Sequence, residues 1–236
     1  MQFMERKLRH EYKYFIHPHD YGMLRARVSQ YLRMDEHSVG AEGYLIRSVY
    51  FDGLHEQALY DKSNGIFSRE KYRIRTYNGS DGMIKLERKS KYGEYVNKQA
   101  ARLTREQYDR ILRGDASDLR GQGSALTDGF YQAIAHRGFK PTVIVDYTRE
   151  AYVYEVEDVR ITFDKRLSAS VNGVDLFSPG LVTREVFPAE QTIMEIKFNG
   201  MLPEPIRALV FPAAHQRSAI SKYLLCREVA LKHYSL

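Results

Sequence analysis

Glu70-Lys-Tyr-Arg-Ile-Arg-Thr-Tyr-Asn-Gly-Ser-Asp-Gly-Met-Ile-Lys-Leu-Glu-Arg-Lys-Ser90 reads as two strands joined by a short turn. Asn78-Gly79 and Asp81-Gly82 supply the positive-φ positions that a hairpin needs. Successive side chains of a strand point to opposite faces. Lys71, Arg73 and Arg75 therefore share one face, and Tyr72, Ile74 and Thr76 the other. The second strand repeats the scheme, with Lys85, Glu87 and Lys89 opposed to Ile84, Leu86 and Arg88. Paired, the two strands make a cationic face with one embedded carboxylate.

The same pattern recurs along the chain. In Arg9–Ile16, Arg9, Glu11 and Lys13 alternate with Tyr12, Tyr14 and Ile16. Tyr44–Asp52 is a strand, and Tyr92–Arg102 continues as one, with Lys98 near its middle. Thr142–Tyr154 opens at Pro141 and places Val143, Val145, Tyr147 and Arg149 on one face. Val159–Asp164 groups Arg160, Thr162 and Asp164; Gln191–Phe198 groups Glu195 and Lys197. Ser168–Phe177 reads as a second hairpin around Asn172-Gly173.

Helices separate these strands. Pro18 starts one with a stripe of Tyr21, Leu24, Val28, Tyr31 and Leu32. A short segment from about Leu54 to Lys62 follows. Thr104-Arg-Glu-Gln107 is a capping box, with Leu103 and Tyr108 placed as a hydrophobic staple. Asp115–Asp128 reads as a mobile surface loop before a helix ending at Gly138. Pro203-Glu-Pro205 opens a tail helix, and the last helix runs from about Ser218 with Ile220, Tyr223, Leu224 and Leu231 toward the core.

The 236 residues, 43% of them hydrophobic, suffice for one large core or two small domains. No long Pro, Gly or Ser linker divides them, so a single domain over 1–236 is expected. Thirty-six basic against 30 acidic residues give +6, which suits an anionic partner. One cysteine, Cys226, excludes an internal disulfide and a cysteine-rich zinc site and reads as a buried structural thiol. The eight His lack metal spacing. Without an apolar leader or an 18-residue apolar run, the expectation is a cytoplasmic protein.

The ionisable set is Lys13, Arg73, Arg75, Lys85, Lys89, Arg149, Arg160 and Lys197, with Glu11, Glu87 and Glu195 among them. If these faces line an antiparallel β-barrel tunnel, the lumen is polar and takes a ligand. So many cations in one low-dielectric lumen call for a polyanion, and a chain of phosphates fits. Arg matches phosphate oxygens bidentately and Lys acts as a point charge. Carboxylates in such a site make sense as ligands of a hard divalent cation. The alternative is an amphipathic sheet with a solvated charged face, and periodicity leaves both open. The tyrosines alternate with charges and look like core rather than stacking platforms, so no nucleic acid is expected.

Glu11-Tyr-Lys-Tyr14, Tyr50-Phe-Asp52, Lys71-Tyr-Arg-Ile-Arg75, Leu86-Glu-Arg-Lys89, Glu195-Ile-Lys197 and Ser221-Lys-Tyr223 occur in an order that resembles the vacuolar transporter chaperone (VTC) polyphosphate polymerase domain. That family belongs to the CYTH or triphosphate tunnel metalloenzyme superfamily, and the resemblance runs from about Arg6 to the last helix. It implies an α+β fold, an antiparallel β-barrel tunnel with flanking helices. It also implies transfer of the ATP γ-phosphate onto inorganic polyphosphate, with ADP released, supported by Mn²⁺ or Mg²⁺. On this sequence it assigns phosphate contacts along the tunnel to Lys13, Arg73, Arg75, Lys89, Arg149, Arg160 and Lys197. Lys85 and Lys98 would add phosphate contacts, and Ser221 and Lys222 would close one end of the tunnel. Glu195 would bind metal, with Glu87 and Glu11 as further carboxylates. The superfamily opens with Glu-x-Glu-x-Lys, whereas Arg9 holds the first acidic position here, a shift toward the polymerase branch. A triphosphatase and a non-catalytic sensor of polyphosphate or inositol phosphates stay open as alternatives. Polymerisation coupled to export would call for a membrane-protein partner, of which the chain itself bears no trace.

Overall fold

A computed structural model describes residues 9–54, 68–92, 95–187, 191–210 and 216–234. The described elements, in chain order, are β1 (Arg9–Ile16), α1 (Pro18–Tyr31), β2 (Arg33–Met34), β3 (Tyr44–Asp52), β4 (Ser68–Tyr77), β5 (Ser80–Tyr92) and β6 (Tyr95–Leu103). Then come α2 (Arg105–Leu112), α3 (Ala125–Arg137), β7 (Lys140–Tyr154), β8 (Val159–Ser170), β9 (Thr183–Glu185), β10 (Thr192–Asn199), α4 (Glu204–Val210) and α5 (Lys222–Tyr234). The α+β class with an antiparallel sheet and flanking helices is as expected.

The chain divides into two compact units, each assembled from three segments. The first comprises Met1–Leu45, Tyr147–Leu167 and Phe187–Ser221. Its strands pair in the order β1-β10-β8-β7, with β2 on β7. Tyr14, Ile16, Leu24, Val28, Tyr152, Ile161, Phe163, Met194, Ile196 and Phe198 form its core. Burying a large apolar side chain contributes about 1.5–3 kcal/mol, so the alternation of the strands fixes which face turns inward. Of the stripe, Leu24, Val28 and Leu32 are buried, whereas Tyr31 is 65% exposed.

The second unit comprises Ile46–Asp146, Ser168–Val186 and Lys222–Leu236. Its strands run β7-β3-β4-β5-β6. Among the described residues the ladder ends on β1 in the first unit and on β6 in the second. Val49, Phe51, Tyr72, Ile74, Ile84 and Leu86 on one sheet face pack with Tyr108, Ile111, Leu126, Phe130 and Ala133 from α2 and α3. The capping box is present: the Thr104 hydroxyl accepts from the Gln107 amide at 3.1 Å, and the Gln107 side chain accepts from the Thr104 amide at 2.9 Å. Leu103 and Tyr108 are both buried, as the staple requires. Gly138 ends α3 with φ 64°, a conformation glycine adopts without Cβ strain.

Several expectations change. Only Asn78 and Gly79, at φ 52° and 67°, supply the turn between β4 and β5, and Asp81-Gly82 already belongs to β5. The strand expected over Tyr92–Arg102 is present as β6, Tyr95–Leu103, the antiparallel partner of β5. The segment 115–128 is built rather than loose: Arg110 ties Asp115 and Asp118, Ala116 and Leu119 are buried, and α3 begins at Ala125. No hairpin forms at Asn172-Gly173. The chain makes a wider loop closed by the Asn172 side chain, and Ser168–Ser170 pairs with Thr183–Glu185. The last helix starts at Lys222, because the Ser218 amide donates to the Lys13 carbonyl and holds that stretch against β1. Its buried stripe is Tyr223, Cys226 and Ala230, while Leu224 and Leu231 are half-buried. Cys226 is a free, buried thiol, as anticipated. The helical segment expected from Leu54 to Lys62 lies, beyond Leu54, outside the described residues.

Candidate functional site

In the first unit the register brings charges of both signs together on one face. Glu11 opposes Lys197, which opposes Arg160; Lys13 opposes Glu195, which opposes Thr162. Directly opposed residues share a sheet face, so these side chains form one polar surface behind which the core lies. Lys13 Nζ is 3.0 Å from Glu11 and 3.6 Å from Glu195. Lys197 donates to Glu195 at 2.8 Å, and Arg149 Nη2 is 3.7 Å from the same carboxylate. Arg149 also grips the fully buried Asp164 with two bonds of 2.6 and 2.7 Å. Arg160 is drawn aside to Asp35 at 2.7 Å and to the Tyr44 hydroxyl at 3.1 Å.

The electrostatics follow from these pairs. Burial disfavours the Arg149 charge, but Asp164, joined by Tyr147 and Glu195, outweighs it and holds the guanidinium protonated above its ordinary range. Burial pushes the Lys197 ammonium below its ordinary value, with Glu195 opposing and Arg149 adding to the fall. Lys13, Arg149 and Lys197 thus sit among Glu11, Asp164 and Glu195, three cations with three carboxylates. The polyanion inferred from sequence is not required to neutralise this face, because the protein's own carboxylates do so.

The second unit differs. Across β3 to β6 the register gives three rows: Ser48, Arg75, Lys85, Arg102; then Tyr50, Arg73, Glu87, Ala100; then Lys71, Lys89, Lys98 on β4 to β6. By sequence and register, this grid holds seven cations (Arg75, Lys85, Arg102, Arg73, Lys71, Lys89 and Lys98) and one carboxylate, Glu87. Arg73 donates to Glu87 through Nε at 2.6 Å and to the Tyr50 hydroxyl through Nη1 at 2.9 Å. Arg75 is buried, donates to Ser48 at 3.1 Å and lies 4.0 Å from Glu87. Burial raises the Glu87 carboxyl, but Arg73 and Arg75 outweigh it and hold it at about 2. Opposed like charges, such as Arg75 with Lys85 and Lys71 with Lys89, destabilise a sheet, and this face carries that repulsion. Lys222, the first residue of α5, acts electrostatically on the Tyr50 hydroxyl and belongs to the same positive field. Ser221 lies just before that helix, beyond the Ile220 carbonyl that accepts from Lys13 Nζ at 3.2 Å.

For a metal, no group of three or more His, Cys, Asp or Glu converges among the described residues. Glu11 and Glu195 both approach the Lys13 ammonium, however, and the buried Thr162 hydroxyl beside them has no hydrogen-bond partner. Two carboxylates and an orphaned hydroxyl suit a hard cation that takes its other oxygens from phosphate. Glu87, in the second unit, lies between the Arg73 and Arg75 guanidiniums. Asp164 shares a face with candidate residues in the sequence pattern, but its pairing with Arg149 was not legible there, nor was that of Asp35 with Arg160.

A sequence model of the VTC domain matches residues 8–231. No curated protein matches the chain. Among solved structures, a protein assigned as an adenylate cyclase from Bacillus halodurans is 13% identical, with 97% of this chain and 86% of that chain covered and a TM-score of 0.48. A chain of the Schizosaccharomyces pombe Mediator head module is 8% identical, with 85% and 88% covered and a TM-score of 0.44. Both are distant resemblances of shape. Among the described residues no helix is long and apolar enough to cross a membrane.

Proposed function

Because the chain belongs to the VTC domain family, whose function is polyphosphate-related, we propose that it is a polyphosphate polymerase that moves the γ-phosphoryl group of ATP onto a growing polyphosphate chain. The observation that carries this reading is the second-unit grid, in which the register gathers seven cations around Glu87 on one sheet face. Phosphoryl transfer asks the protein for charge neutralisation and in-line positioning, which such a grid supplies without a nucleophilic side chain.

In this mechanism a terminal phosphate oxygen of the acceptor attacks the γ-phosphorus, the bond to the bridging β–γ oxygen breaks, and ADP leaves with that oxygen. Arg73 and Arg75 present guanidiniums to the triphosphate, and Lys85, Lys89, Lys98 and Lys222 add point charges. In the first unit, Lys13, Arg149, Arg160 and Lys197 form a phosphate-binding face of their own, exchanging part of their contacts to carboxylates for phosphate oxygens. Glu87 fixes the fork of Arg73 so that it meets the ligand already oriented. Glu11 and Glu195, with Thr162, would hold Mn²⁺ or Mg²⁺, which when bound would neutralise charge on phosphate oxygens.

The test is a product balance. With ATP and Mn²⁺, the purified protein is expected to release ADP in excess of free phosphate, the difference recovered as acid-labile polymer on a stained gel. ADP and phosphate in equal amounts, without polymer, would replace the polymerase with a triphosphatase. Binding of polyphosphate with neither product would leave a sensor.

A further inference from the structure

Tyr50, Asp52 and Tyr223 belong to two sequence motifs 171 residues apart, and none of them has a role in the reaction as proposed. They meet in the second unit. Tyr223 donates its hydroxyl to the Asp52 carboxylate at 2.7 Å, and its ring centroid lies 5.0 Å from that of Tyr50. The other Asp52 oxygen accepts from the Gly53 amide at 2.9 Å, and Asp52 is fully buried. A buried carboxylate bound on both oxygens cannot rotate without losing a charge-assisted bond, so it fixes the phenol that binds it. The Lys71 ammonium lies over the Tyr223 ring, 4.7 Å from its centroid. Thr142 of β7 closes the set, its hydroxyl donating to the Tyr50 carbonyl at 3.1 Å.

This cluster reaches the cationic grid at two points. Tyr50 accepts from Arg73 Nη1, while Arg73 Nε is held by Glu87, so both sides of one guanidinium are tied down. Tyr223 is the second residue of α5 and follows Lys222 directly, so anchoring its ring fixes where that lysine leaves the helix. The positive field reaches the Tyr50 hydroxyl as well: burial raises it, yet Arg73, Arg75 and Lys222 together outweigh burial and lower it.

We infer that Tyr50, Asp52 and Tyr223 form a latch that positions Arg73 and Lys222 for phosphate binding, Tyr50 acting through Arg73 and the Asp52–Tyr223 pair acting through Lys222. The three are positioning residues, and the inference rests on the phosphate-binding reading of the grid.

The experiment is a pair of double-mutant cycles read by calorimetric titration with inorganic triphosphate, on the full chain. Tyr50→Phe keeps the ring and removes the acceptor of Arg73; Tyr223→Phe keeps the ring and removes the bond to Asp52. Each is expected to weaken triphosphate binding about three- to tenfold, the scale of one hydrogen bond. Tyr50→Phe is expected to have no further effect on Arg73→Ala, and Tyr223→Phe none on Lys222→Ala. Losses that add in the double variants, or variants that melt earlier while binding triphosphate as the parent does, would overturn the latch and leave the grid standing. Failure of the parent protein to bind triphosphate would overturn the phosphate-binding reading, and the latch with it.

Discussion

Glu87 is the residue on which the cationic grid turns. Its carboxylate, about one-fifth exposed, accepts from Arg73 and faces Arg75, and removing it would leave two guanidiniums against each other. Breaking a buried pair costs more than the pair contributes, because the remaining charge stays desolvated. The folded-state value of about 2 against an ordinary 4.5 also sets a pH dependence. A depressed carboxyl stabilises the fold above its unfolded value, and that contribution fades as pH falls from about 4.5 toward 2. Glu87→Gln is therefore expected to lower unfolding stability by about 2–3 kcal/mol at pH 7. The gap to the parent should narrow steadily in urea titrations between pH 5 and pH 2.5. A gap of the same size at both ends would show that Glu87 acts through packing instead of charge.

Among the elements, α2 shows how local sequence and packing divide the work. Thr104 caps its first turn and Gln107 returns the bond, so two amide donors that the helix leaves open are satisfied. With Tyr108 and Ile111 buried, the helix covers the inner face of the strands that carry the grid. Thr104→Ala is expected to cost about 1 kcal/mol in chemical denaturation, without changing triphosphate affinity. An unchanged midpoint would mean that tertiary packing alone holds the helix. Strand β8 teaches the opposite lesson. Its end, Ser168–Ser170, pairs with a segment that follows a wide loop, so the local Asn-Gly signal pointed to the wrong partner. Neither Asn172 nor Gly173 takes a positive φ, and side-chain bonds from Asn172 to Gly180 and Val182 do the closing.

At the scale of the whole molecule, the net charge of +6 is not spread evenly over function. On the first-unit face carboxylates stand beside the cations, whereas the register of the second-unit grid gathers seven cations around Glu87. Inorganic triphosphate is therefore expected to raise the melting temperature, with about 2.7 kcal/mol of stabilisation at one hundred times its dissociation constant. The rise should shrink with added salt as screening weakens the contacts. The double variant Arg73→Ala/Arg75→Ala should lose most of that rise while keeping a cooperative melt. A rise as large as that of the parent would show that the anion binds elsewhere.

The sequence by itself determined the strands, their inward faces and the family. Alternation with period two needs only the chirality and pleat of the backbone, and burying the apolar set leaves a single register. It also placed the candidate residues: Glu11, Lys13, Glu195 and Lys197 on one face, Arg73, Arg75, Lys85 and Glu87 on another. What the tertiary structure alone decided is which charge meets which. Arg149 with Asp164, Arg160 with Asp35 and Tyr223 with Asp52 join residues 15, 125 and 171 positions apart. A Coulomb or hydrogen-bond energy depends on separation in space, which no periodicity in the chain encodes. That is why the sequence could name a cationic surface, while the ion pairs of one face and the gathering of cations around Glu87 on the other emerged only when the strands were paired.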